Sequence, residues 1–164
     1  MTLLVPFDGS TLATNALEKA ATFGDLLDEE VVALTVIPED AGYARERGWI
    51  GNGEPFDPET VAAGIQTRAM DVAPAVTFRT ERVSSDEPTA TATTEVVREI
   101  RRVAAAIEAS VVFIGSENAG SVIAPQSSVG SPVAKGQRYD VYVVRQPGEA
   151  LDSDDITDFD SVSG

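Results

Sequence analysis

Val31-Val32-Ala33-Leu34-Thr35-Val36-Ile37 is apolar at almost every position and leaves no polar face for water. A strand of this kind suits a parallel sheet that is covered on both sides. Upstream, Leu3-Leu4-Val5-Pro6-Phe7 reads as a second buried strand. Pro6 cannot donate to a ladder and stands near that strand's C-terminal end, where it is tolerated. Between the two, Ser10 or Thr11 can cap a helix. Ala13, Ala16, Leu17, Ala20 and Ala21 recur in it at helical spacing, and residues 23–27 finish it.

Downstream, residues 38–55 form a long connection with four glycines, Gly42, Gly48, Gly51 and Gly53. A helix is expected over 57–73, with Pro58 at a permitted first-turn position. A third strand follows over 75–83, with Val76, Phe78 and Thr80 on one face. The clearest helix spans 93–109, where Val96, Ile100, Val103 and Ile107 make one stripe, joined by Val97 and Ala104. Glu95, Arg98, Glu99, Arg101 and Arg102 fall on its solvent side, as intrahelical pairs. Residues 111–114 are a fourth strand, 115–130 a loop, Ser131-Pro132 the start of a short helix, and Val141-Tyr142-Val143-Val144 a fifth strand. Strands alternating with helices predict an α/β fold: one doubly wound, five-stranded parallel sheet with helices on both faces. The pattern alone leaves the strand order open. Residues 1–147 are expected to form this domain, and 148–164 an acidic, disordered tail with six acids and no base.

Composition narrows the chemistry. The 164 residues include no Cys and no His. A Ser-His-Asp or Cys-His nucleophile therefore cannot be built, and the commonest metal ligands are missing. The reading leans away from an enzyme, with slow ATP hydrolysis at most. The net charge of −15 argues against nucleic acid, whose phosphates need a basic surface. No apolar run approaches the roughly 20 residues of a membrane span, and the N-terminus lacks signal-peptide features. A cytoplasmic location is expected, with no membrane insertion. Lys19 and Lys135 are the only lysines. Such an excess of acid is tolerated where molar salt screens self-repulsion, which points to a halophile, with an ordinary acidic protein as the plain alternative.

In an open α/β sheet, ligands bind beyond the C-terminal strand ends. Asp8-Gly9-Ser10 and the glycine-rich segment 115–131 occupy such places. Asp8 is suited either to a ribose hydroxyl or magnesium ion, or to fixing the turn with its own side chain. Tyr43, Trp49, Ile50 and Phe56 form either a lid or rim packing. There is no Gly-x-Gly-x-x-Gly after the first strand, no Gly-x4-Gly-Lys-Ser/Thr, and no paired acids of a receiver domain.

Val5-Pro6-Phe7-Asp8-Gly9-Ser10, Leu34-Thr35-Val36, Val111-Val112-Phe113-Ile114-Gly115 and Gly120 with Gly130-Ser131, in that order, resemble the motifs of the universal stress protein family. Val5-Pro6-Phe7-Asp8-Gly9-Ser10 is similar to its opening strand motif, and Leu34-Thr35-Val36 to its second strand end. Val111-Val112-Phe113-Ile114-Gly115 resembles its fourth strand. Gly120, nine residues, then Gly130-Ser131 resembles half of its nucleotide motif, and Lys135 stands at a familiar position. Residues 141–145 resemble its closing strand, so the likeness covers 2–146.

The resemblance implies strand order 3-2-1-4-5 and a homodimer formed through Val141, Tyr142, Val143 and Val144. It implies a regulator that binds ATP or AMP, with Mg, between strands 1 and 4. Pro6, Asp8 and Val36 would meet the adenosine end, and Gly115, Gly120, Gly130 and Ser131 the phosphates. The segment also departs from the motif. Gly115 precedes Gly120 by five residues instead of three, Glu117 is an anion, and Pro132 removes a donor. No Lys or Arg lies within 115–131. These departures keep a second reading open: a dimeric adaptor that binds no nucleotide and serves a stress-response partner or a transporter.

Overall fold

In a computed structural model of the chain, residues 2–84, 91–115 and 139–145 are described. Their elements run β1 (Thr2–Pro6), α1 (Thr11–Leu27), β2 (Glu30–Pro38), α2 (Ala41–Glu46), α3 (Pro58–Val72), β3 (Thr77–Val83), α4 (Ala92–Ala106), β4 (Ala109–Gly115) and β5 (Asp140–Val144). The five strands form one sheet in the order β3-β2-β1-β4-β5. All four pairings are parallel. The chain winds outward from β1 through β2 to β3, then returns to the other side of β1 as β4. The winding therefore reverses beside β1, and the crevice of such a fold opens there.

The doubly apolar strands explain the layers. Leu3, Val5, Val31, Ala33, Ile37 and Phe113 point to one face and pack with Ala16, Leu17 and Ala20 of α1 and Val61, Ile65 and Ala69 of α3. Leu4, Val32, Leu34, Val36, Val112 and Ile114 point to the other and pack with Ile100, Val103 and Ala104 of α4. Neighbouring residues of a strand serve opposite cores, because side chains alternate along it. That is why no position in β2 can be polar without a partner. Thr35 is the buried polar residue there, and its hydroxyl donates to the Phe7 carbonyl at 2.7 Å.

Some boundaries differ from expectation. Helix α4 stops at Ala106 instead of reaching 109, because Glu108 takes φ 53° and turns the chain so that Ala109 pairs with Thr2. Strand β3 begins at Thr77, since a turn closed by the Val76 amide on the Ala73 carbonyl (3.2 Å) precedes it. The connection 38–55 contains α2, which the sequence pattern did not suggest. Glu95 and Glu99 are largely covered, not solvated, with 13% and 14% of their side chains exposed. They pair with Arg98 and Arg102, and Arg102 also reaches Glu81 of β3 at 3.0 Å. The loop 116–130, the helix expected from Ser131-Pro132 and the tail 148–164 lie outside the described residues.

Candidate functional site

Beyond β1 the chain stays clamped to β2. The Phe7 amide donates to the Leu34 carbonyl at 2.7 Å, alongside the Thr35 contact. The next three residues make a tight turn. The Ser10 amide donates to Asp8 Oδ1 at 2.9 Å, and Gly9 takes φ 82°, a region that favours glycine. Ser10 then caps α1, its Oγ accepting from the Ala13 amide at 3.2 Å. Thus one oxygen of Asp8 holds the turn.

The other oxygen meets the segment after β2. Arg47 Nη1 donates to Asp8 Oδ2 at 3.0 Å, and Trp49 Nε1 donates to the Asp8 carbonyl at 2.8 Å. Local chemistry sets both in place. Asp40 caps α2 by accepting from the Tyr43 amide at 3.1 Å. Arg47 ends the helix, Gly48 takes φ 77°, and the Trp49 amide returns to the Ala44 carbonyl at 2.9 Å. The Tyr43 ring lies against the guanidinium, 4.7 Å from its centroid, and meets Trp49 edge-on at 5.6 Å. Burial pushes the Tyr43 phenol up, against the opposing pull of Arg47, so it stays neutral over the physiological range. Tyr43 and Ile50 are buried, and Trp49 and Phe56 pack half-buried on the same core. Packing on the sheet's rim therefore accounts for these aromatic residues.

These groups border one open cleft. Leu34, Val36 and Ile114 supply an apolar floor. Thr93, Val96, Val97 and Ile100 of α4 form one wall, and Tyr43, Arg47 and Trp49 the other. Pro6, Asp8 and Gly115 stand at the junction of β1 and β4. Residues 1–145 match the model of the Universal stress protein family.

The chain belongs to the universal stress protein family.

Among solved structures, one similar to this universal stress protein is a universal stress protein from Archaeoglobus fulgidus DSM 4304. It is 22% identical over 88% of this chain and 44% of that one, with a TM-score of 0.50. Another is the hypothetical protein PH0823, 20% identical over 88% of this chain and 96% of that one, also at 0.50. A third comes from Burkholderia pseudomallei and is described as a protein of the same family. It is 20% identical over 87% and 94% of the two chains, with a TM-score of 0.49. No curated protein matches the chain.

The fold of this universal stress protein brings Pro6, Asp8, Val36 and Gly115 together at the cleft. Gly120, Gly130 and Ser131 lie outside the described residues. Gly115 has a reason of its own: a Cβ there would sit 2.8 Å from Leu12 Cβ of α1. Sequence reading missed Arg47 and the contribution of α4. The available signal was a cation flanked by Tyr43 and Trp49 in the connection that follows β2. Strand β5 ends the sheet order, with Tyr142 and Val143 38% and 39% exposed. Tyr142 stacks on Phe113 at 5.1 Å and meets Phe23 edge-on, while Val144 is buried. Among the described residues, no helix is long and apolar enough to cross a membrane. Among them too, no group of three acids suits a metal ion.

Proposed function

We propose that this universal stress protein is a regulator that takes an adenine nucleotide, ATP or AMP, in the cleft between β1 and β4. The observation that carries this reading is the convergence of Pro6, Asp8, Val36 and Gly115 on one apolar cleft with a carboxylate at its rim. Flat apolar surface from Leu34, Val36 and Ile114 suits a base, and the fixed carboxylate of Asp8 suits a ribose hydroxyl, which would donate to it. The phosphates would run toward Gly115, Gly120, Gly130 and Ser131, accompanied by Mg. Two copies would join through Val141, Tyr142, Val143 and Val144 of β5, hiding an edge that a protein must otherwise protect. Binding would then bias the dimer or a partner surface in the cytoplasm. No fast reaction is assigned, since the sequence offers no histidine or cysteine for one.

The adaptor reading has its own support. Leu12 alone accounts for Gly115, and the sequence from 115 to 131 holds an acid, Glu117, and no Lys or Arg to favour a phosphate. Calorimetric titration with Mg-ATP and with AMP in molar KCl separates the two. Saturable micromolar heat that Gly130→Trp abolishes is the expected result. A folded protein that gives no heat with either nucleotide would overturn the nucleotide reading and favour the adaptor.

A further inference from the structure

A second groove runs along α3, apart from the cleft between β1 and β4. Val61, Gly64, Ile65 and Arg68 recur at helical spacing and form one bank. Trp49, Ile50 and Glu54 form the other. Ile50, Val61 and Ile65 belong to the core under α1 and α3, so the floor is apolar and firm. The groove offers about 310 Å³, at the small end of the range for ligand pockets.

Gly64 keeps this groove open. Glycine weakens a helix interior relative to alanine. Packing does not require one here, because a Cβ at 64 would meet no atom within 4 Å among the described residues. Any side chain at this position would enter the groove instead. Two opposite charges also stand in the groove without neutralising each other. Glu54 and Arg68 reach in from the two banks, and no ion pair joins them. Each lies against a glycine: a Cβ at Gly9 would sit 2.9 Å from Arg68 Nη1, and one at Gly51 would sit 2.8 Å from Glu54 Oε1. Asp57, the third charged group of the groove, has its oxygens committed to the α3 cap, on the Glu59 amide and the Thr60 hydroxyl.

We propose that this groove is a binding site for a free amino acid with an apolar side chain. Its carboxylate pairs with Arg68, whose planar fork matches it, and its ammonium faces Glu54. Its side chain covers Ile50, Val61, Ile65 and the Trp49 ring. Both charged side chains are long enough to close on the ligand from opposite banks. A ligand of one charge would leave the other group unanswered. Trp49 borders this groove and the cleft alike, and its indole is fixed on the Asp8 carbonyl, so occupation of the groove is felt beside Asp8.

Trp49 is also the chain's one tryptophan, and its fluorescence reports the groove when no nucleotide is present. The experiment titrates L-leucine, L-valine and L-phenylalanine in molar KCl, by Trp49 fluorescence and by calorimetry. The tightest is then compared with its two halves, the amine that lacks the carboxylate and the acid that lacks the amine. Wild type is expected to hold the amino acid about tenfold or more tighter than either half, as one charge-assisted contact implies. Arg68→Gln lowers the amino acid to the level of the amine, and Glu54→Gln lowers it to the level of the acid. Gly64→Leu abolishes binding of all three compounds, with a melting temperature equal to or above wild type, since a helix glycine in open space is replaced. Should that variant not fold, the two charge variants decide, because both side chains are exposed. No saturable signal with any of the three amino acids overturns the proposal. So does an amino acid held no tighter than its halves, or one undiminished in both charge variants. Binding that survives in a folded Gly64→Leu protein overturns it too, because the ligand then sits elsewhere.

Discussion

Gly115 and Asp8 are both held by contacts within the fold itself. A methyl group at Gly115 would press on Leu12 at 2.8 Å, so Gly115→Ala is expected to cost about 1–3 kcal/mol as an overpacked contact. Urea unfolding without any ligand measures it. Leu12→Ala does not relieve this contact, because the nearest atom is the Leu12 Cβ that alanine keeps, so the losses of the two variants should roughly add. A Gly115→Ala protein of unchanged stability would show that Leu12 yields freely and that packing does not require the glycine. At Asp8 the turn role weighed from sequence is carried by one oxygen, and the other is taken by a cation. Oδ1 holds the Ser10 amide and Oδ2 faces Arg47. The turn role was legible, because Asp-Gly-Ser is turn chemistry in any fold. The Arg47 partner was not, because 39 residues separate the pair and nothing in a linear pattern ties them.

The elements were read best where the pattern was long. Helices α1, α3 and α4 each bury a periodic face, and the strands other than the polar, half-covered β3 are largely apolar runs of ordinary strand length. Helix α2 escaped because six residues cannot show a period. It forms from the Asp40 cap and the Gly48 turn. Helix α3 carries a pH-sensitive cap. Asp57 accepts from the Thr60 hydroxyl at 2.7 Å and from the Glu59 amide at 3.2 Å, and these bonds, the Thr60 hydroxyl foremost, hold its carboxyl below its ordinary value. The folded pKa lies below the unfolded one. Its contribution is therefore present at neutral pH and is lost as the pH falls from the ordinary carboxylate range through the lower folded value. Urea unfolding from neutral into acid should show wild type losing stability more steeply than Asp57→Asn. Identical slopes would remove Asp57 from the acid response.

At the scale of the molecule, charge and edges govern behaviour. A net charge of −15 repels itself in dilute buffer, and at about 1 M salt the screening length shrinks to roughly 3 Å. Light scattering and thermal melts from dilute buffer to molar KCl are expected to show both the dimer and the melting temperature rising with salt. A flat melting temperature would count against a halophile's protein. If two copies join through β5 as proposed, Val143→Glu should leave a folded monomer in molar salt, because it would set two carboxylates against each other across that strand. A dimer that survives this change would move the interface away from β5.

By itself the sequence determined the α/β class, the positions of the five strands and the family, since apolar runs, helical periods and turn residues are local and survive translation into any orientation. It also excluded histidine and cysteine chemistry outright. Which elements meet was decided only by the tertiary structure. A sheet that reverses its winding at β1 brings Pro6, Val36 and Gly115 from three different strands to one rim, and the turn after Gly48 lays Trp49 on the Asp8 carbonyl. Those meetings follow from parallel pairing and from where the crossovers land, and both are global properties of the packed chain.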